Sequence, residues 1–151
     1  MSEDLSVDLK WRLGQREFAP GEYSGAHEVM FNGALAIICD AAPEFNGNDA
    51  HANPEQGLAA SLASCHMLTF LALAAKMRWQ IKSYSDHAVA HIGKQEDGAQ
   101  FVNKIELTPT IEFADGFTVE PEQMDEMHMR AHKYCFVANS LSDDVEVVIN
   151  G

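Results

Sequence analysis

The longest uncharged run in the chain extends from Gln56 to Ala75 and consists mainly of small and apolar residues. The residues around the start of the run are those of a helix N-terminus: Asn53 fits an N-cap, Pro54 fits the first turn, and Gln56 can close a capping box with Asn53. The pattern therefore predicts a helix that starts here and ends near Met77. About twenty such residues would also cross a bilayer. Small and polar residues interrupt the run, and no positive cluster flanks it, which favours a fully buried central helix and no membrane.

The residues before this helix have the short apolar runs of β-strands. The runs cover residues 5–13, 27–31 and 34–39. Asn32-Gly33, between the last two runs, is a strong signal for a hairpin turn. Residues 40–53 are irregular and are predicted to form the loop that leads into the helix.

The residues after the helix alternate between polar and apolar and then change to helical spacing. Residues 81–92 and 101–113 predict two antiparallel strands in one long hairpin. Pro121 opens a second helix, whose pattern includes Cys135, and residues 145–149 form a last strand. This order of strands and helices indicates an α+β fold.

Length, composition and charge limit the possible functions. With 151 residues, 46% of them apolar, the chain is predicted to form a single domain over residues 1–151. Its formal net charge of −13 argues against binding nucleic acid or anionic membranes. The acidic start, Met1 to Leu5, does not resemble a secretory signal, so we expect a cytoplasmic protein whose thiols are kept reduced.

The cysteines are the main candidates for chemistry. Cys65 lies in the middle of the uncharged run, and Cys135 lies seventy residues later. A buried free cysteine is usually an inert small hydrophobe, whereas a thiol near a cation and a second thiol is a redox centre. Cys39 ends an apolar strand and is predicted to be part of the core. Residue type alone leaves both interpretations open for Cys65 and Cys135.

Three segments carry a resemblance to a known family: Asn53-Pro54-Glu55-Gln56, residues 59–66 around Cys65, and residues 131–140 around Cys135. Together they resemble the OsmC/Ohr family of osmotically inducible protein C and organic hydroperoxide resistance proteins. The resemblance implies an intertwined homodimer in which antiparallel sheets surround long central helices. It also implies a thiol-dependent peroxidase for organic hydroperoxides or hydrogen peroxide, active in oxidative-stress defence and without a metal or cofactor.

The resemblance also assigns roles to three residues. Cys65 matches the cysteine that attacks the peroxide and becomes a sulfenic acid, and Cys135 matches the resolving cysteine that forms a disulfide with it. An external dithiol, possibly a lipoyl group or another thiol protein, would reduce the disulfide. Glu55 matches the carboxylate that orients an activating cation.

Helix geometry predicts that two chains share each site. Glu55 precedes Cys65 by ten residues, about 15 Å along a helix axis, which is too far for contact. Small residues lie on one stripe of the helix, at Gly57, Ala60, Ser61 and Ser64. Two such helices can approach closely and cross antiparallel, which would place Glu55 of one chain beside Cys65 of the other.

The activating cation is the one element that does not match the family pattern. The resemblance leads us to expect an arginine in the segment Tyr23 to His27, where this chain has Gly25. Arg12 and Arg16 are the nearest arginines in sequence, and His27 or His51 would contribute only when protonated.

Two alternative functions remain open at this point. His128, His132 and Cys135 are spaced i, i+4 and i+7, so they are predicted to share one face of the helix and could bind zinc together with Cys65. The other alternative is a ligand-binding protein that keeps the fold and has lost the peroxidase chemistry.

Overall fold

The long uncharged run forms helix α1, Pro54–Lys76, in the computed structural model, which describes residues 5–151. Its predicted capping box is present. The backbone N–H of Asn53 donates to Oε1 of Gln56 at 3.0 Å, and the backbone N–H of Gln56 donates to Oδ1 of Asn53 at 2.9 Å. These two bonds satisfy donors that a helix start otherwise leaves free, which explains why the sequence located this boundary well.

Only one face of α1 is buried in the chain. The buried residues recur every three or four positions, at Ala59, Leu62, His66, Phe70 and Ala74. Small residues on the opposite side, such as Ala60 and Ser64, are exposed. The prediction of a fully buried helix is therefore wrong for a single chain, because that side is exposed in the part of the chain that the structure describes. The length and mean hydropathy of α1 would also allow it to cross a membrane, properties that core helices of soluble proteins share.

The described chain divides into two compact units, one ending at Gly57 and the other comprising Leu58–Gly151. The first unit contains strands β1 (Val7–Lys10), β2 (His27–Phe31) and β3 (Leu35–Cys39) in one antiparallel sheet. The predicted hairpin turn joins β2 to β3. Asn32 and Gly33 both have positive φ, 55° and 71°, and lie in the turn between the paired residues Phe31 and Leu35. None of the residues in these strands is fully buried.

In the second unit, the predicted long hairpin is present as two strand pairs. Four strands form it: β4 (Ile81–Asp86), β5 (Val89–Lys94), β6 (Gln100–Leu107) and β7 (Pro109–Phe113). β4 pairs with β7, and β5 pairs with β6. The hairpin is broken where the Asp86 carboxylate accepts the backbone N–H of Thr108 at 2.7 Å, next to a proline that cannot donate. The last strand, β8 (Glu146–Ile149), runs parallel to β6.

The second helical segment ends one residue before its cysteine. Helix α2 covers Pro121–Tyr134, and a four-residue helix, α3, covers Phe136–Asn139. Cys135 lies between them with an extended backbone, φ −75° and ψ 117°, so the prediction that it continues the helical pattern is wrong. Its sulfur accepts the backbone N–H of Ala138 at 3.4 Å and thus caps α3. This bond requires the extended backbone that ends α2.

The core of the second unit has two parts. The first contains Ala59, Leu62, Ile105, Leu107 and Cys135, and the second contains Phe70, Ala74, Met127 and Ala131. Residues of α1 contribute to both parts. Because α1 also crosses the boundary at Gly57, the single domain predicted for residues 1–151 stays a prediction.

Candidate active site

The two predicted reactive cysteines lie together in the second unit. Cys65, in the middle of α1, is half-buried, and Cys135, between α2 and α3, is fully buried. Both thiols are free, Cys65 packs against the core part that contains Cys135, and each thiol influences the pKa of the other. The break between α2 and α3 therefore brings Cys135 to the side of α1 that carries Cys65.

The surroundings of Cys65 favour its thiolate. Burial, the largest influence, raises its pKa, but hydrogen bonds from the backbone N–H of Val137, the thiol of Cys135 and the backbone N–H of Phe136 lower it. The hydroxyl of Thr69 adds a smaller effect in the same direction. The net result is a pKa below the ordinary value of a cysteine. Hydrogen-bond donors directed at a sulfur stabilise its negative charge.

Cys135 has the opposite character. Burial raises the pKa of Cys135 to about 11, and its hydrogen bond to Cys65 acts in the same direction. At neutral pH it therefore remains a thiol and donates its proton to Cys65. The pair consists of one thiol that ionises readily and one that does not, an asymmetry expected of an attacking and a resolving cysteine.

A glycine occupies the position where the family pattern led us to expect an arginine, and the structure shows a reason for it. A Cβ atom at Gly25 would lie 2.9 Å from Oδ1 of Asp40, a buried carboxylate. That carboxylate accepts the backbone N–H groups of Ala41 at 2.7 Å and Asn48 at 3.1 Å. A side chain at position 25 would require this arrangement to move.

The other candidate cations give no sign of acting on the thiol. Arg12 and Arg16 are exposed in the first unit. Across residues 5–151, the groups that lower the pKa of Cys65 are hydrogen-bond donors, and none is a cationic side chain. Within these residues, the backbone N–H groups of Phe136 and Val137 at the start of α3 are among the donors that stabilise the Cys65 thiolate.

Glu55 lies in the first turn of α1 and is half-buried. Its Oε2 is buried and has no hydrogen-bond partner among the described residues of the chain. A buried acceptor left unpaired is costly. Its predicted role beside Cys65 of a second chain stays a prediction.

The alternative zinc site does not form. Within the described range, 5–151, no group of three or more His, Cys, Asp or Glu side chains is placed to hold a metal ion. The proposed ligands separate because Cys135 has left the helix, and because His128 points to another partner. Its Nδ1 lies 2.9 Å from Nε2 of His66. This four-residue zinc prediction is therefore wrong.

Two features of the site were missed by sequence reasoning. Thr69 lies one helical turn after Cys65, and its hydroxyl also donates to the Cys65 carbonyl at 2.8 Å. The i+4 spacing could have suggested it. The backbone N–H groups of Phe136 and Val137 could not have been found, since they have no residue-type signal and depend on the break at Cys135.

Comparisons with known proteins agree with this fold. A family model described as OsmC-like protein matches residues 47–150. The chain is similar to a solved OsmC-like protein of unknown function from Vibrio cholerae, with 36% identity, a TM-score of 0.85, and coverage of 99% of this chain and 98% of that one.

More distant solved structures share the fold. An organic hydroperoxide resistance protein from Elizabethkingia anophelis has 20% identity and a TM-score of 0.74, with 99% of this chain and 96% of that one covered. An organic hydroperoxide resistance protein OsmC from Legionella pneumophila has 17% identity and a TM-score of 0.70, with coverage of 95% and 94%. No curated protein matches the chain in sequence. The family match and the Vibrio cholerae structure show that the chain belongs to the OsmC-like family.

Proposed function

We propose that the protein is a thiol-dependent peroxidase that reduces organic hydroperoxides, hydrogen peroxide or both. The observation that carries this proposal is the contact between two free thiols whose pKa values move in opposite directions. Cys65 is the attacking thiolate, and Cys135 is the resolving thiol. Solved structures with the same fold include organic hydroperoxide resistance proteins.

The chemistry requires two steps at these sulfurs. The Cys65 thiolate attacks one peroxide oxygen, the O–O bond breaks, and the other oxygen leaves as an alcohol or water after taking up a proton. The Cys65 sulfenic acid then reacts with Cys135. An S–S bond forms, the S–O bond breaks, and the hydroxyl leaves as water with the thiol proton. An external dithiol returns both cysteines to thiols.

Apolar side chains flank both cysteines and favour organic hydroperoxides. Leu68 lies one helical turn after Cys65 and is 60% exposed, and Phe136 adjoins Cys135 and is 83% exposed. Large exposed apolar side chains beside a reactive thiol fit a substrate with an organic group.

A second copy of the chain is the proposed partner. One side of α1 is exposed and has small residues, and the sheet of the first unit has exposed Leu35, Ile37 and Ile38. A three-stranded sheet needs a covered apolar face for stability. A homodimer would cover these surfaces and could bring the unpaired Glu55 carboxylate to the site of the other chain. Size-exclusion chromatography with light scattering should give the mass of a dimer, and a monomer would contradict this part of the proposal.

The peroxidase proposal is tested by cumene hydroperoxide consumption with a dithiol reductant. Wild type should consume the peroxide, and Cys65→Ser should fall to the rate without protein. Cys39→Ser is the matched control, since it removes a free cysteine of the first unit that belongs to neither cysteine motif, and it should keep wild-type activity. Equal rates for wild type and Cys65→Ser would refute the proposal and favour a ligand-binding protein.

The shared site is tested by mixing two variants, each of which we expect to be inactive by itself. Chains with Cys65→Ser and chains with Glu55→Gln are unfolded together and refolded. If Glu55 acts on the other chain, each mixed dimer regains one intact site, so activity should recover to a fraction of wild type. The control mixes wild type with the double variant, which leaves no intact site in the mixed dimer. No recovery in the first mixture would contradict a composite site.

A further inference from the structure

Two histidines form a buried polar contact in the otherwise apolar interface between α1 and α2. His66 is 1% exposed and His128 is 5% exposed. Their rings are nearly parallel, with an interplanar angle of 11° and centroids 5.2 Å apart. Nε2 of His66 lies 2.9 Å from Nδ1 of His128, so one ring donates an N–H to the other.

The surroundings keep both rings neutral. Burial, together with the nearby His128 and His132, lowers the pKa of His66 to about 4. Burial also lowers the pKa of His128, against the opposing effect of two carboxylates. The titratable groups around the pair are His132 and Asp125 on α2 and Asp86 on β4, with Tyr84 of β4 beyond the ring of Phe70. A neutral pair can keep its hydrogen bond, whereas two protonated rings could not.

The pair lies close to both cysteines along the chain. His66 directly follows Cys65, and His128 precedes Cys135 by seven residues, about 10 Å of helix. On α1, Leu62 belongs to the core part that contains Cys135, and Phe70 belongs to the other part. The histidine pair therefore occupies the helix position between the two core parts.

Apolar contacts between helices are not directional and tolerate small shifts of one helix along the other. A buried hydrogen bond is directional, and in coiled coils a single buried polar residue fixes the register of two helices. We propose that the His66–His128 hydrogen bond fixes the register of α2 against α1, so that Cys135 meets Cys65 when the disulfide forms. Both histidines are thus positioning residues for the second step, and this inference rests on the proposed function.

The inference is tested by separating the two steps in a single turnover with cumene hydroperoxide. Loss of peroxide reports the first step, and loss of the Cys65 sulfenic acid to the disulfide reports the second. In His66→Phe, peroxide loss should stay within about threefold of wild type, while disulfide formation slows about tenfold, the size of one lost hydrogen bond. The sulfenic acid should accumulate.

Two further variants distinguish register from packing. His66→Gln replaces the ring with an amide that can occupy the place of Nε2, and it should restore most of the rate. Met127→Ala opens a cavity in the same interface without removing a hydrogen bond, and it should slow the second step less than His66→Phe. Equal slowing by Met127→Ala and His66→Phe, or no rescue by His66→Gln, would overturn the inference.

A second measurement uses neither the peroxide nor the Phe variant. Diamide oxidises the two thiols to the disulfide and is itself reduced to the hydrazine, so it tests register even if the peroxidase proposal fails. Wild type and His66→Gln should form the disulfide at equal rates at pH 7. In acid, as the pH falls through 4, wild type should become slower than His66→Gln once both rings are protonated and repel each other. Parallel pH profiles would contradict the inference.

Discussion

Acid should destabilise the protein through His66, and the magnitude can be worked out from its environment. The unfolded chain binds a proton on this ring near pH 6.5, whereas burial lowers the pKa in the folded state to about 4. Between these values the unfolded state binds more protons, so stability is complete above pH 6.5 and is lost as the pH falls toward 4. Linkage predicts a loss of about 2 kcal/mol between pH 7 and pH 5 and about 3 kcal/mol by pH 4. Burial also lowers the pKa of His128, which adds a loss of the same sign.

Urea unfolding at a series of pH values measures this effect, with protein concentration held constant because an oligomer would change the midpoint. The free energy of unfolding of wild type should fall by the predicted amount relative to His66→Gln. His87→Gln, which removes an exposed histidine, should keep the pH dependence of wild type. If wild type and His66→Gln show the same pH dependence from 7 to 4, the buried neutral histidine pair is refuted.

Three other substitutions test the site and the fold. Cys135→Ala removes a hydrogen bond to Cys65, so the pKa of Cys65, measured by ultraviolet absorbance of the thiolate, should rise. Cys135→Ser should raise this pKa less. An unchanged pKa in Cys135→Ala would contradict the contact between the two thiols. Asn53→Ala removes the helix cap and should lower the free energy of unfolding by about 1 kcal/mol, and no loss in urea unfolding would show that the capping box contributes nothing. Gly47→Ala places a Cβ against the carbonyl oxygen of Ala41 and should lower the free energy of unfolding by more than Asn53→Ala does, as checked by the same measurement; a smaller loss would show that the loop moves freely.

Local patterns predicted the elements whose boundaries depend on nearby residues. The start of α1 was predictable because Asn53 and Gln56 satisfy each other's backbone donors. The turn between β2 and β3 was predictable because Asn32 and Gly33 tolerate positive φ. The cysteine segments also indicated the family, since their motifs are contiguous in sequence.

The missed features depend on contacts between distant residues. The break in the long hairpin depends on Asp86 reaching Thr108, a contact across two strands. The end of α2 depends on the sulfur of Cys135, which caps α3. Helical spacing had wrongly extended the helix by one residue, to Cys135. The pairing of His66 with His128 joins two helices, and single-sequence periodicity shows only that each lies on a helical face.

The activation of Cys65 shows why side-chain motifs alone gave an incomplete site. A missing arginine at Gly25 suggested a missing activating charge. The donors that lower the Cys65 pKa are instead mainly backbone N–H groups of Val137 and Phe136 and the thiol of Cys135. Backbone donors are available at any residue except proline, so only the path of the chain shows where they point.

If Cys65 and Cys135 act as an attacking and a resolving thiol, one equivalent of peroxide should oxidise both of them to a single disulfide. Reduced protein is mixed with one equivalent of cumene hydroperoxide, and the product is identified by peptide mass spectrometry. We expect one Cys65–Cys135 disulfide per peroxide consumed, and a Cys65 sulfenic acid, trapped with dimedone, in Cys135→Ser. Consumption of the peroxide with both thiols still free, or oxidation at Cys39 alone, would contradict it.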